Sequence, residues 1–522
     1  MSQTTSAPNV LPFSTKAIRA FPLLRVFLFG LLLPLSFAPF HLPGAAILGL
    51  ALFYAELNRG AGHAFSKGLF FGLGFFGFGT SWVFVSIHEY GHLNWVISTL
   101  ITLLFLLYLS LFIAGMSYSY KKIATPKGNL LNCALFSALW VLFEYFRATF
   151  LSGFPWVLIG VGQFDAPVKS LLPVIGVYGV GFLTCFSAAL LVYSLQGKTK
   201  TRRLSFLAFI LLLLAPALLT HSFAKISKTP VTVGVIQANL SMRNKWDEQL
   251  FWQLLARYKQ KTEQLLGTQL IVMPESAIPV PPSYVDTFLN DLHDKAKKAG
   301  SAIMLGIPTP TTEEENFYFN ALISLGKAKG AYLKQHLVPF GEYIPRPFQQ
   351  LGHWLALPDA NLVAGKSNQL LVKVHNHPIA TLICYELAYG EILRKQLPKA
   401  EWIVSISDDG WFGHSLAMYQ QVQMAQVRSL ETARYQVVAN NDGLSSVINT
   451  EGEIVSYLPA FEEGILLGEI FPATGVTPWV SFGNAPALLF CALFILLYPI
   501  YYLIMQKLVR SPLAVEYKRR YP

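Results

Sequence analysis

Ile379-Ala-Thr-Leu-Ile383 is an apolar, β-rich run that ends abruptly in Cys384, Tyr385 and Glu386. Such a run reads as a buried strand, and the residues just past a strand's carboxyl end are where α/β sheets carry their chemistry. Working outward, Leu270-Ile-Val-Met-Pro-Glu275 ends the same way. Gly330-Ala-Tyr-Leu-Lys334 places a lysine at the end of another short strand, with Glu342 following. Further strands are expected at 230–237, 302–307, 319–325, 370–374 and 402–407. Helices are expected at 246–266, 286–299, 389–397 and 415–432, before a hairpin-like end at 436–457. Helices interleaved with buried strands argue for an α/β domain. The Pro- and Gly-rich stretch 339–365 is long for a connection, which favours a functional lid. Its aromatic residues Phe340, Tyr343, Phe348 and Trp354 suit contact with an apolar surface or packing on their own domain.

This domain sits inside a chain of another character. Of 522 residues 53% are hydrophobic and only 13% charged, with a mean hydropathy of +0.44. A soluble domain carries about 25% charged residues, and disorder needs low hydrophobicity, so both classes are excluded and a membrane protein is implied. The net charge of +11 is unevenly spread. Residues 1–228 hold 16 Lys+Arg against 4 Asp+Glu, residues 229–483 hold 19 against 24, and residues 484–522 hold 5 against 1. The basic excess therefore flanks hydrophobic segments, and no nucleic-acid surface is implied.

A helix needs about 20 mostly apolar residues to cross a bilayer. About eight spans are expected, near 22–40, 44–57, 67–88, 93–118, 129–149, 173–195, 204–222 and 484–506. The chain thus divides into a membrane domain at 1–228 with seven spans, an α/β domain at 229–483, and a final span with a basic tail at 484–522. The first run is too long for a cleaved signal and reads as an anchor. Lys16, Arg19, Arg59, Lys67, Lys121, Lys122, Lys127, Lys198, Lys200, Arg202, Arg203 and the tail from Lys507 fall in alternate loops, whereas 41–43 and 89–92 have no Lys or Arg and 150–172 has only Lys169. By the positive-inside rule both termini are cytoplasmic and residues 229–483 lie outside the cytoplasm.

Cys133, Cys185 and Cys491 fall in expected spans, leaving Cys384 alone in the external domain. Extracytoplasmic cysteines normally pair, so a lone one is either buried filler or a reactive thiol. Glu144 and Arg147, three apart in a span, are expected to pair or to face a polar cavity. Gly68, Gly72, Gly74, Gly77 and Gly79 suit close helix packing. His88 and His92 lack further ligands, so no metal site is expected.

A carboxylate, a lysine and a cysteine, in that order and each closing a strand, resemble the Glu–Lys–Cys triad of the nitrilase superfamily. Lys334-Gln-His-Leu-Val-Pro-Phe-Gly-Glu342, Cys384-Tyr-Glu386, Asp409-Gly-Trp-Phe-Gly413 and Ser152-Gly-Phe-Pro-Trp156 narrow this. Together with the layout of spans they are similar to the apolipoprotein N-acyltransferase branch. The resemblance implies a polytopic α-helical membrane domain carrying an extracytoplasmic αββα sandwich, in a bacterial inner membrane with the sandwich on the periplasmic side. It implies Glu275 as general base, Lys334 as oxyanion donor and Cys384 as the nucleophile that carries a thioester, with no cofactor. The acyl donor would be a phospholipid and the acceptor the amine of a diacylglyceryl-cysteine apolipoprotein. Glu342, Tyr385, Glu386, Trp246, Trp411 and Gly153 are the implied supporting residues. One departure stands out: the family has Ser-Asn-Asp where this chain has Ser407-Asp408-Asp409. The triad itself is shared with water-using amidases, so a membrane-tethered hydrolase is the alternative; a transporter or receptor has no need of a complete triad.

Overall fold

The computed structural model describes residues 21–509, apart from 61, 92, 126–128, 197–198, 221, 241–247, 312–315, 347–349 and 351–360. Trp246, His92, Phe348 and Trp354 lie outside the described residues.

The α/β region is built on two sheets. One has six strands, in the spatial order Gly464–Ile470, Val231–Gln237, Leu270–Val272, Ala302–Pro310, Tyr318–Gly326 and Ala331–Leu333. The other has seven, in the order Ile454–Leu458, Ser445–Ile448, Gln436–Asn440, Ile403–Ser407, His377–Ile383, Val372–Val374 and Ala328–Lys329. At the centre of each sheet three strands run parallel: 231–237, 270–272 and 302–310 in the first, 377–383, 403–407 and 436–440 in the second. Parallel neighbours align their carboxyl ends, so the residues that follow them emerge on one edge.

The sheets face each other across a dry core in which Val233, Val235, Val272 and Met304 meet Ile383, Val404, Ile406 and Ala439. Helices Glu248–Leu265 and Asp286–Ala299 cover the outer face of the first sheet through Leu254, Tyr258 and Leu292 against Ile271 and Ile303. Central strands are thus buried on both faces, which is why they read as continuous apolar runs without alternation. Helix Ala417–Thr432 covers the second sheet and is itself buried on its far side. Its Gln420, Gln421, Gln423, Arg428 and Glu431 are all within 3% of full burial: Gln420, Gln423 and Glu431 meet Trp156, Ala38 and Val177 of the apolar helical part, whereas Gln421 meets Ser407 and Arg428 the Leu387 carbonyl.

Two expectations for this region need correction. The hairpin-like end is a three-stranded meander, 436–440, 445–448 and 454–458. The expected helix at 389–397 is shorter, Gly390–Arg394. A strand that was not foreseen, Gly464–Ile470, pairs antiparallel with Val231–Gln237 and closes that edge.

Among the described residues five helical segments are long and apolar enough to cross a membrane: Trp95–Ile123, Leu130–Ser152, Pro167–Gln196, Lys200–Leu218 and Ala485–Ile504. The expected third span is not continuous. Ala64–Gly79 and Val83–Tyr90 meet at a 66° bend and make a sixth if counted as one. The first expected span is a shorter apolar stretch, Pro22–Ser36, and the second a 16-residue helix, Pro43–Asn58. Lys67 is not a loop residue. It lies in the first turn of its helix, buried, donating to the Glu56 carbonyl (2.7 Å) beside the Glu56 carboxylate. The glycine stripe splits by direction. A Cβ on Gly68 or Gly72 would meet Ile113 or Ser110 of the 95–123 helix, and one on Gly74 would meet the Phe27 carbonyl, whereas Gly77 faces open space.

Candidate active site

The carboxyl ends of strands from both sheets converge on one buried polar cluster. Glu275 follows Leu270–Val272, Lys334 follows Ala331–Leu333, and Cys384 follows His377–Ile383 directly. All three are buried: 6%, 1% and 7% exposed. Cys384 takes a left-handed backbone, φ 53°, unusual for a residue with a Cβ and held by its surroundings. Gly306 makes room for the Glu275 turn: a Cβ there would lie 2.7 Å from the Glu275 Cα and 2.6 Å from the Pro274 carbonyl oxygen.

Lys334 Nζ donates to Glu275 Oε1 (3.3 Å) and Glu342 Oε1 (2.9 Å). Asn320 Nδ2 donates to the same two oxygens, at 2.6 and 2.9 Å. The backbone N–H of Asp408 holds Glu275 Oε2 (3.1 Å), and the N–H of Val338 holds Glu342 Oε2 (2.8 Å). Both carboxylates are therefore held from more than one side. Burial alone would depress the Lys334 ammonium, but Glu275 and Glu342 reverse this and hold its pKa well above the ordinary value. The Cys384 thiol is driven the opposite way from an activated cysteine: burial and the Glu275 charge push it well up, with Lys334 opposing. The resting pair is a neutral thiol beside a permanent cation.

Glu386 does not line the cluster as a free acid. Its Oε1 accepts from the N–H of Gln335 (2.6 Å) and of His336 (3.2 Å), and its Oε2 from the N–H of Ile383 (2.9 Å). The Tyr332 hydroxyl lies 3.1 and 3.0 Å from the two oxygens. One carboxylate thus ties the segment after Lys334 to the strand end before Cys384. Burial pushes it up to about 7, against the pull of those N–H donors and of Lys334.

The apolar helical part of the chain supplies the rest of the surroundings. The loop after helix Leu130–Thr149 turns at Gly153, φ 78°, where a Cβ would overlap the Ala148 carbonyl. The Gly153 carbonyl accepts from the hydroxyls of Tyr385 and Tyr389, each at 3.1 Å. The Tyr385 ring lies parallel to Trp156 at 6.4 Å, and Ser152 Oγ is 2.6 Å from the Tyr343 hydroxyl. On the opposite flank Trp411 is 38% exposed. Its carbonyl accepts from Ser86 Oγ (2.8 Å) and its ring meets Tyr90 edge-on, while Phe412 meets Trp82.

At 408, where the resemblance implies an amide, the Asp408 carboxylate accepts from the Gly410 N–H (3.2 Å) and Asn441 Nδ2 (3.3 Å). Its neighbour Asp409 is pushed up to about 8 by burial, with Asp408, Glu275 and Asp442 adding to it. Position 408 thus reaches Glu275 through its main chain, which either side chain preserves.

Glu144 and Arg147 form the expected ion pair, at 4.0 Å. Each also holds the following loop, Glu144 Oε1 accepting from the Ile159 N–H (2.9 Å) and Arg147 donating to loop carbonyls. Asn320 is one residue that sequence reasoning missed. The available signal was an amide inside a largely apolar run, Tyr318–Gly326. Tyr332 was missed for a different reason, since a tyrosine in a short strand is unremarkable until its hydroxyl finds Glu386.

Two families match the chain. The one described as Apolipoprotein N-acyltransferase N-terminal domain covers residues 29–190, and Carbon-nitrogen hydrolase covers residues 232–476. The curated apolipoprotein N-acyltransferase of Coxiella burnetii is 36% identical over 477 residues, 90% of this chain and 98% of its own length. That of Pseudomonas syringae pv. tomato is 35% identical over 476 residues, 89% and 94% respectively. Among solved structures, Nit3 of Saccharomyces cerevisiae, a member of branch 10 of the nitrilase superfamily, aligns at 20% identity and a TM-score of 0.37, covering 48% of this chain and 93% of that one.

Proposed function

Since the chain belongs to the apolipoprotein N-acyltransferase family, we propose that it moves a fatty acyl group from a membrane phospholipid to the amine of a diacylglyceryl-cysteine apolipoprotein, through a thioester on Cys384. The observation that carries the assignment of roles is the Lys334 ammonium held between Glu275 and Glu342 at the strand ends that also present Cys384. Glu275 takes the thiol proton as the sulfur attacks the ester carbonyl carbon, which spares the enzyme a free thiolate in a buried site. The carbonyl electron pair moves onto oxygen, and Lys334 stabilises that oxyanion in a water-poor pocket. Collapse breaks the ester C–O bond, and Glu275 returns the proton to the departing lysophospholipid alcohol. The acceptor amine then attacks the thioester, its proton passes by way of Glu275 to the leaving Cys384 sulfur, and an amide is released. Glu342 holds Lys334 and Asn320 in place, while Glu386 keeps the two strand ends in register.

Both substrates carry acyl chains, so the reaction belongs at a bilayer surface. Leu151 and Phe340, on segments bordering the cluster, are exposed apolar side chains suited to lipid contact. The alternating basic loops support eight hydrophobic segments in the inner membrane with both termini cytoplasmic. In this arrangement residues 1–228 and 484–522 hold the catalytic domain, 229–483, on the periplasmic side.

The test is the intact mass of the detergent-solubilised protein after incubation with phospholipid, beside Cys384→Ala. An acyl-sized increment on the wild type alone, discharged by a diacylglyceryl peptide with a free amine, is the expected result. An increment discharged as fast by water, or one that survives in Cys384→Ala, refutes the reading.

A further inference from the structure

We propose that Arg147, inside the membrane helix Leu130–Thr149, is a positioning residue for acyl transfer that acts on Cys384 through the loop 152–156. The inference rests on the proposed role of Cys384. Arg147 is 2% exposed. Its Nη1 donates to the carbonyls of Phe154 (2.5 Å) and Trp156 (2.9 Å), its own carbonyl accepts from the Phe154 N–H (3.0 Å), and its guanidinium lies over the Phe76 ring at 5.1 Å. Two carbonyls turned inward toward one cation leave the intervening backbone little freedom. That backbone carries what the catalytic domain grips: the Gly153 carbonyl bonded to Tyr385, and the Trp156 ring parallel to it. Tyr385 is the residue after Cys384, so the cation, the loop and the nucleophile form one continuous series of contacts.

The cost of this arrangement argues that it is selected. A buried guanidinium is expensive in a membrane segment, and here it is spent on two loop carbonyls. A second prop fastens the same loop: Trp156 Nε1 donates to Gln420 Oε1 (2.6 Å), and Gln420 Nε2 donates to the Gly79 carbonyl (3.1 Å) at the end of the bent helix. Loop placement is thus shared between a membrane helix and the catalytic domain, which is what a site needs when its two substrates arrive from the bilayer.

The experiment compares turnover of the full chain in detergent for Arg147→Met, Arg147→Lys, Tyr385→Phe and Arg147→Met/Tyr385→Phe, with phospholipid donor and diacylglyceryl peptide. A displacement of about 1 Å at a reacting group costs on the order of 100-fold. Arg147→Met is therefore expected to lower kcat by that order while KM for phospholipid stays within about threefold. Arg147→Lys, whose ammonium can also donate to two carbonyls, restores most of the loss. The double variant is no slower than Arg147→Met, because Tyr385 acts through the same loop. If the charge left on Glu144 unfolds Arg147→Met, the comparison is made in Glu144→Gln, with and without Arg147→Met. Wild-type kcat in Arg147→Met beside an inactive Cys384→Ala overturns the inference alone, as do losses that multiply in the double variant. Full transfer by Cys384→Ala overturns the proposed function and this inference with it.

Discussion

Replacing Lys334 by alanine removes the cation between Glu275 and Glu342 and leaves both carboxylates facing the same Asn320 amide. Unit charges about 3 Å apart interact by roughly 5 kcal/mol at an effective dielectric of about 20. Several kcal/mol of desolvation offset this, and removing one partner of such a buried group nets about 3–5 kcal/mol. The loss should depend on pH. In the wild type the raised Lys334 pKa keeps the ammonium charged throughout pH 5–8, so its contribution is constant there. Without it, two like charges cannot both stay ionised, and one carboxyl rises above its unfolded value of about 4.3. A raised folded pKa gives stability that is present below the unfolded value and lost as pH rises through the folded one. The variant's deficit therefore grows from pH 5 to pH 8. At about 2–4 °C per kcal/mol for a unit of this size, the full deficit is roughly 6–20 °C in the apparent melting temperature. Thermal unfolding in detergent from pH 5 to 8 measures it, and acyl-enzyme formation followed by mass should fall about 10²- to 10³-fold. A deficit that does not change with pH would refute the electrostatic reasoning, and a wild-type acylation rate would refute the oxyanion role.

Other consequences can be checked with the same preparations. Glu386→Gln must turn an amide N–H toward either the Gln335 and His336 or the Ile383 N–H groups; it should cost about 1–3 kcal/mol per donor left unpaired and slow turnover, and unchanged melting and rate would count against the clamp. Gly153→Ala forces a Cβ onto the Ala148 carbonyl at φ 78°, a conformation costing about 1–3 kcal/mol, so turnover should drop at least about tenfold by the same logic of displacement; a normal rate would free Tyr385 from dependence on this turn. Alkylation of Cys384 in the absence of lipid should stay slow at pH 7 and accelerate only above about pH 8.5, the ordinary thiol value, because burial and Glu275 raise its pKa; fast labelling at neutral pH would mean a preformed thiolate.

The class of this protein is legible along the chain, because its evidence is local. An apolar run ending in Cys-Tyr-Glu, the order Glu275, Lys334, Cys384, and basic residues in alternate loops are all read along the chain, and periodicity and composition suffice for them. The central strands and the helices at 286–299 and 417–432 were legible for the same reason. The remaining features depend on partners distant in sequence. Asn320 is an isolated polar residue until Glu275 and Glu342 meet it, 45 and 22 positions away. The strand Gly464–Ile470, with a glycine at each of two positions, is held by pairing with residues more than two hundred positions earlier. Helix Ala417–Thr432 carries glutamines, an arginine and a glutamate whose burial no local pattern announces; it depends on distant partners, as Gly79 and Trp156 are for Gln420 and Ser407 is for Gln421. Arg147 reads as half of an ion pair with Glu144 or as a group facing a polar cavity; the pair forms, and only the folded loop shows the guanidinium turned as well to the Phe154 and Trp156 carbonyls. A hydrogen bond is specified by where two groups end up in space, and spacing along the chain carries that information only when both lie on one element.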